Sequence, residues 1–168
     1  PLAELREPLL RASTHLRPEV RLEVAKTLMR VDGDDVADVY ESLAAPDEPW
    51  EVRAIALRQL THRGRPKAVA VLLEELPTAD ATRLDAILAQ LAASGDERAV
   101  PVLLERFHRA PEGSSRPFVQ ALAQNPSVAA AKGLFEIYQG PDKVVGRGSR
   151  ETLTTRNYLP TLFLNLRG

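Results

Sequence analysis

The sequence predicts an all-α chain, a right-handed superhelix of about five stacked helix pairs, and three observations lead there. A unit of 31 residues recurs: Leu60, Leu91, Leu122 and Leu153 stand 31 apart, as do Gly64 and Gly95. In that frame Ala68/Ala99/Ala130, Leu72/Leu103/Leu134, Leu73/Leu104/Phe135 and Leu76/Phe107/Tyr138 coincide. Within each unit the apolar residues step by three and four, the spacing of one helix face. Such a period, with helical spacing inside it, marks a solenoid, where each helix pair buries its apolar faces only against its neighbours.

Each unit reads as two helices, A then B. The first A helix covers 2–12 and its B partner 18–31, with Pro18 in the first turn, where its missing N–H costs nothing. The second pair is 34–44, begun by Asp34 as an N-cap or first-turn acid, and 49–62, whose stripe is Val52, Ala56, Leu57 and Leu60. Gly64 follows where a left-handed C′ residue is wanted. The third pair is 66–76 and 81–93, with Leu84, Ile87, Leu88 and Leu91 inward and Gly95 closing the B helix. The fourth is 97–108, led by Asp96 and striped by Ala99, Val102, Leu103 and Phe107, and 115–124. Asn125 tolerates a left-handed end and Pro126 forbids continuation. Ser127 then caps the fifth A helix, 128–139. The fifth B helix is expected over 144–157, because register equates Val145, Ser149 and Leu153 with Val52, Ala56 and Leu60. Its two glycines, Gly146 and Gly148, cost about 1 kcal/mol each relative to Ala, so this first turn is open to fraying. A last helix over 159–166 carries an apolar stripe of Leu159, Leu162, Phe163 and Leu166. No strand is expected.

Bulk composition excludes several classes. The 168 residues are 44% hydrophobic but 5% aromatic, so Ala, Leu and Val supply the core and helices approach closely. A net charge of −1 draws the chain to neither nucleic acid nor membranes. Cysteine is absent, which removes disulfides and thiolate metal sites. No apolar run approaches 18 residues, so no membrane partner is expected and a cytoplasmic location is the default. The chain begins with Pro1 rather than Met, so a piece of a longer polypeptide is expected, forming a single repeat domain over 1–168.

Two entry sequences carry a family resemblance. One B entry reads Asp47-Glu48-Pro49-Trp50-Glu51-Val52-Arg53-Ala54-Ile55-Ala56, and one A entry reads Gly95-Asp96-Glu97-Arg98-Ala99-Val100-Pro101-Val102. These resemble HEAT repeats, within the armadillo-like α-solenoids, and specifically the short bacterial type named after phycobilisome lyases. The resemblance implies a ladder between an Asp in the A–B turn and an Arg six residues on, which Asp47 and Arg53 match. Pro101 matches the proline that bends the family's A helices. It also implies two alternative functions: bilin-lyase-like or other tetrapyrrole handling, and nucleic-acid binding in a HEAT-like groove.

No reactive constellation supports catalysis. His15, His62 and His108 fall at three different places in the repeat and have no metal-ligand spacing with Asp or Glu. Asp34–Asp35 and Glu74–Glu75 fall on exposed faces, and no nucleophile elbow exists. Gly146-Arg147-Gly148-Ser149-Arg150 lacks the Lys and the preceding strand of a phosphate loop. Trp50 fits an apolar staple better than a partner anchor. The chain is therefore read as a non-enzymatic scaffold or adaptor without metal or cofactor, binding a protein or peptide on its concave B-helix face. Register aligns the exposed B positions in rows: Lys26, Arg58, Ala89 and Gln120; Thr27, Gln59 and Gln90; Arg30, His62, Ala93 and Gln124. The partner-binding candidates are Lys26, Arg30, Arg58, His62, Gln90 and Gln124. Lys143, Arg147, Arg150, Arg156 and Arg167 form a basic carboxyl-terminal edge. Such a groove has neither the strong basicity nor the aromatics of a nucleic-acid site.

Overall fold

A computed structural model describes residues 2–31, 33–148 and 151–165. The fold is all-α and solenoid-like. In chain order the helices are α1 (Leu2–Ala12), α2 (Pro18–Leu28), α3 (Asp34–Leu43), α4 (Trp50–His62), α5 (Pro66–Glu75), α6 (Ala81–Ser94), α7 (Ala99–Arg109), α8 (Arg116–Gln124), α9 (Val128–Gln139) and α10 (Thr155–Asn165). A short 3₁₀ turn, Leu76–Thr78, follows α5, and an antiparallel pair, β1 (Val144–Arg147) and β2 (Thr152–Thr154), lies between α9 and α10. The helices form two compact units, residues 1–70 and 71–168.

In the amino-terminal unit α1 packs on α2 and α3 on α4, which are the A–B pairs, and α2 lies against α4, B on B. Its core is built of buried residues from three helices: Val24, Ala25 and Leu28 of α2, Val36 and Tyr40 of α3, and Ala56, Leu57 and Leu60 of α4. Tyr40 is fully buried, and its hydroxyl donates to the Ala25 carbonyl at 2.9 Å. Burial pushes the phenol up to about 12, although the Arg63 guanidinium above its ring opposes this. Charged links join successive repeats, two of them at closer range. Arg6 of α1 pairs with Asp35 of α3, holding that carboxyl below its ordinary range. Arg21 of α2 reaches Glu48 in the α3–α4 turn at 2.7 Å, and the same guanidinium donates to the carbonyls of His15 and Leu16. Glu48 thus takes the bridging place expected of Asp47, which is exposed, while Arg53 is buried and donates to the Ala44 carbonyl at 3.3 Å.

The carboxyl-terminal unit repeats this packing: α7 on α8 and α9 on α10 as A–B pairs, α6 on α8 and α8 on α10 as B on B, α7 on α9 as A on A. Gly133 of α9 permits that last contact, since a Cβ there would stand 3.1 Å from Leu104 Cδ1. Leu103, Leu122 and Ala130 are fully buried. The outer columns open at α9, where Phe135 is 58% and Tyr138 44% exposed, against a buried Phe107 one repeat earlier.

The expected left-handed glycines and the Ser127 cap are present. Gly64 and Gly95 hold φ of 68° and 65°. Behind α4 the Arg65 N–H reaches the Leu60 carbonyl and the Gly64 N–H the Thr61 carbonyl, the paired bonds of a Schellman end. Asp80 and Ser127 cap α6 and α9 by accepting from the Arg83 and Ala130 N–H groups. Asn125 departs from expectation: its backbone is extended, not left-handed. Its buried side chain does the work instead, donating to the Leu91 carbonyl at the end of α6 and accepting from the Ser127 N–H. One amide thus ties the ends of two successive B helices.

The expectation of a helix over 144–157, and of no strand, is overturned. Val144 pairs with Thr154, Gly146 with Leu153 and Arg147 with Thr152, and Val145 is the buried residue of a bulge. The β-branched Val144, Val145, Thr152 and Thr154 favour strands, and two glycines weaken any helix through them. The fifth B helix is α10, displaced along the chain by the hairpin, so Leu159 rather than Leu153 fills the core. Of the expected stripe over 159–166, Leu159 is buried and Leu162 partly so; Leu166 and the side chain of Phe163 lie outside the described residues. So do Ser149, Arg150 and Arg167.

Candidate partner-binding face

The B helices present their polar residues because their apolar ones are used up on the other side. In α2, Val24, Ala25 and Leu28 turn inward, which leaves Lys26 on the opposite face, and Arg30 follows in the turn just beyond the helix, also exposed. In α4 the same logic sets Arg58 and His62 outward. All four are exposed, and α2 and α4 are packed neighbours, so this side of the unit gathers two arginines, a lysine and a histidine. Lys26 is partly neutralised by Glu23 at 2.6 Å. Neither Arg30 nor Arg58 has an ion-pair partner among the described residues.

In the carboxyl-terminal unit the corresponding row is Ala89 and Ala93 on α6 with Gln120 and Gln124 on α8. Gln124 is exposed as expected. Gln90 is not: it is 8% exposed and belongs to the interior. One residue along a helix is a rotation of about 100°, which carries Gln90 from the crest occupied by Ala89 to the flank. Thr27 and Gln59, its register equivalents, are half-buried for the same reason. Between α6 and α8 the face is dented by a cavity of about 140 Å³ with Leu88, Ala89, Pro117 and Ala121 on its apolar side and Asp85, Gln120 and Gln124 on its polar side.

The basic carboxyl-terminal edge divides. Arg147 and Arg156 are exposed, but Lys143 is committed internally. Its ammonium donates to the carbonyls of Phe107 at 2.7 Å, His108 at 3.2 Å and Ala110 at 3.0 Å, and stands 4.9 Å from the Phe107 ring centre. It caps the carboxyl end of α7, where a cation is favoured. Nearby, burial alone would raise the Asp142 carboxyl. The Arg156 N–H, the Thr155 and Thr154 groups and the Arg156 charge together bring it below its ordinary range. This carboxylate caps α10 from across the hairpin. Sequence spacing missed both roles because they depend on the hairpin.

Among the described residues no group of three His, Asp or Glu side chains could hold a metal ion, and no helix is long and apolar enough to cross a membrane. Trp50 is half-buried as the first residue of α4.

Residues 41–123, from the end of α3 into α8, match the family model for HEAT repeats, which supports a HEAT-repeat protein. No curated protein matches the chain.

Proposed function

We propose that this chain is a non-catalytic scaffold or adaptor that binds a protein or peptide partner on its B-helix face. The observation that carries this reading is the exposed row of Lys26, Arg30, Arg58 and His62 across two packed B helices, with two arginines left without carboxylates among the described residues. Solvated arginines that keep their donors available are suited to recognising carboxylates and carbonyls of a second chain. HEAT repeats generally mediate contacts with other proteins, and the two entry sequences resemble the short phycobilisome-lyase-like type.

The test is a binding measurement on a partner recovered with the natural protein. Arg58→Ala leaves folding within about 0.5 kcal/mol, as exposed substitutions do, and weakens the partner by about 1 kcal/mol or more if Arg58 anchors it. Repeating the measurement at two salt concentrations separates the nucleic-acid alternative, for which losing one phosphate contact lowers the salt slope by about one. Full affinity in Lys26, Arg30, Arg58 and His62 variants alike refutes the B-face assignment. A tetrapyrrole-handling role would show instead as visible absorbance carried by the purified protein.

A further inference from the structure

The second cavity on the B side of the carboxyl-terminal unit is larger and chemically different from the dent between α6 and α8. It holds about 520 Å³ and opens between α8, the β1–β2 hairpin and α10. Arg116, the first residue of α8, and Arg147, at the end of β1, both line it. Arg116 lies over the ring of Tyr158 at 5.4 Å, which holds the guanidinium in place. Its Nε is buried and has no hydrogen-bond partner among the described residues. Neither arginine is in an ion pair among the described residues, although Glu151 lines the same cavity. Two guanidiniums against one carboxylate, in a partly enclosed space, leave positive charge whose natural complement is a further carboxylate. Gly146 matters here. A Cβ at that position would meet the Arg116 side chain at 3.5 Å, so the strand runs directly beside the arginine stem and brings the two cations to one cavity.

Gln120 lines both this cavity and the dent between α6 and α8. The two depressions therefore flank one side chain on one helix, across three successive B helices. Resting on the adaptor reading above, we infer that this pair of depressions is a binding site for an acidic peptide segment. A Glu or Asp of the partner seats between Arg116 and Arg147, and a neighbouring small apolar side chain enters the dent over Leu88, Ala89 and Ala121. Gln120 lies between the two and is placed to bond the peptide backbone. Charge complementarity selects the acid, and the dent receives the apolar side chain next to it.

The test is a nitrogen-15 NMR titration of the intact chain with three probes: the peptide acetyl-Ala-Ala-Glu-Ala-Ala-amide, the same peptide with Gln in place of Glu, and inorganic phosphate. The Glu peptide is expected to give saturable shifts at Gly146, Gly148, Ala89 and the side-chain amide of Gln120. The Gln peptide and the Arg147→Gln variant each bind about tenfold more weakly, the loss expected for one charge-assisted contact. Arg147 is exposed and unpaired among the described residues, so its substitution leaves the fold in place; Arg116→Gln repeats the test from α8. Equal affinity for the Glu and Gln peptides overturns the proposal. So does tight phosphate binding that leaves Ala89 unmoved, which would make the cavity a site for a free anion. Shifts confined to Lys26, Arg30 and Arg58 also overturn it while leaving the B-face reading intact.

Discussion

Replacing Lys143 with methionine should destabilise the chain although the residue is only half-buried. The side chain keeps an unbranched apolar stem but loses the ammonium, and with it the approach of that charge to the Phe107 ring and three bonds to the carbonyls of Phe107, His108 and Ala110. A cation at a partly buried helix carboxyl end contributes up to about 2 kcal/mol, and a single hydrogen bond to a charged group about 1.5–3 kcal/mol net. These overlap, because the ammonium would otherwise bond water, so the expected loss is about 2 kcal/mol. For a chain of this size that corresponds to a fall in Tm of about 4–8 °C. Urea unfolding followed by circular dichroism measures the shift, and amide exchange locates it. The Gly113 and Thr155 N–H groups, which bond the Val144 and Lys143 carbonyls, should lose protection before the amides of α6 do. A loss under about 0.5 kcal/mol, the range of an ordinary surface change, would refute the view that Lys143 docks the hairpin on α7.

Three further outcomes follow from the same geometry. Leu103→Ala removes a fully buried side chain from α7 and should cost about 2–5 kcal/mol in chemical unfolding. Gly64→Ala and Gly95→Ala both place a Cβ at positive φ, at a cost of about 1 kcal/mol. Gly64 opens on free space, whereas a Cβ at Gly95 meets Pro126 Cγ at 3.2 Å, so Gly95→Ala should be the more damaging of the pair in Tm. Asp142 ionises below its ordinary range in the folded chain, so its contribution is present above the ordinary carboxylate pKa near 4 and is lost as pH falls through its depressed value. Asp142→Asn should flatten that acid limb of the stability profile, measured by unfolding at stepped pH; an unchanged limb would assign it to other carboxylates.

Periodicity revealed the elements wherever packing repeats and failed where the chain departs from the repeat. The fifth A helix occupies the expected 128–139 because a Ser cap, an Ala/Leu stripe and a terminal Gly all agree there. The 31-residue step places Leu153 in the column of Leu122, whereas the structure puts it in β2. The local signal for a hairpin was present in Val144-Val145 and Thr152-Leu153-Thr154 on either side of a glycine-containing turn, but register outweighed it. Asn125 shows the opposite case. Its position at a helix end was legible, while its bond to Leu91, 34 residues back, required the stacking of α6 and α8.

The candidate site divides along the same line. A period of 3.6 states which B residues share a direction, so Lys26, Arg58, His62 and Gln124 fall outward as expected, while Arg30 is exposed in the turn after α2. It does not state how wide the exposed stripe is, which depends on how closely the next helix packs. Gln90, a quarter turn from the crest, is lost to the interior for that reason. Arg116 is the converse. At the first turn of a B helix it had no periodic signal, and it becomes a candidate ligand only because the hairpin displaces the fifth B helix along the chain. The insertion that defeats the register lays Gly146 beside the Arg116 stem and brings Arg147 and Tyr158 around it. A regular B helix begun at residue 144 would have put Val145 and Leu153 on its inward stripe, and Arg147 would have stayed one of many solvated cations. The irregular repeat is therefore where Arg116 and Arg147 come to line one cavity.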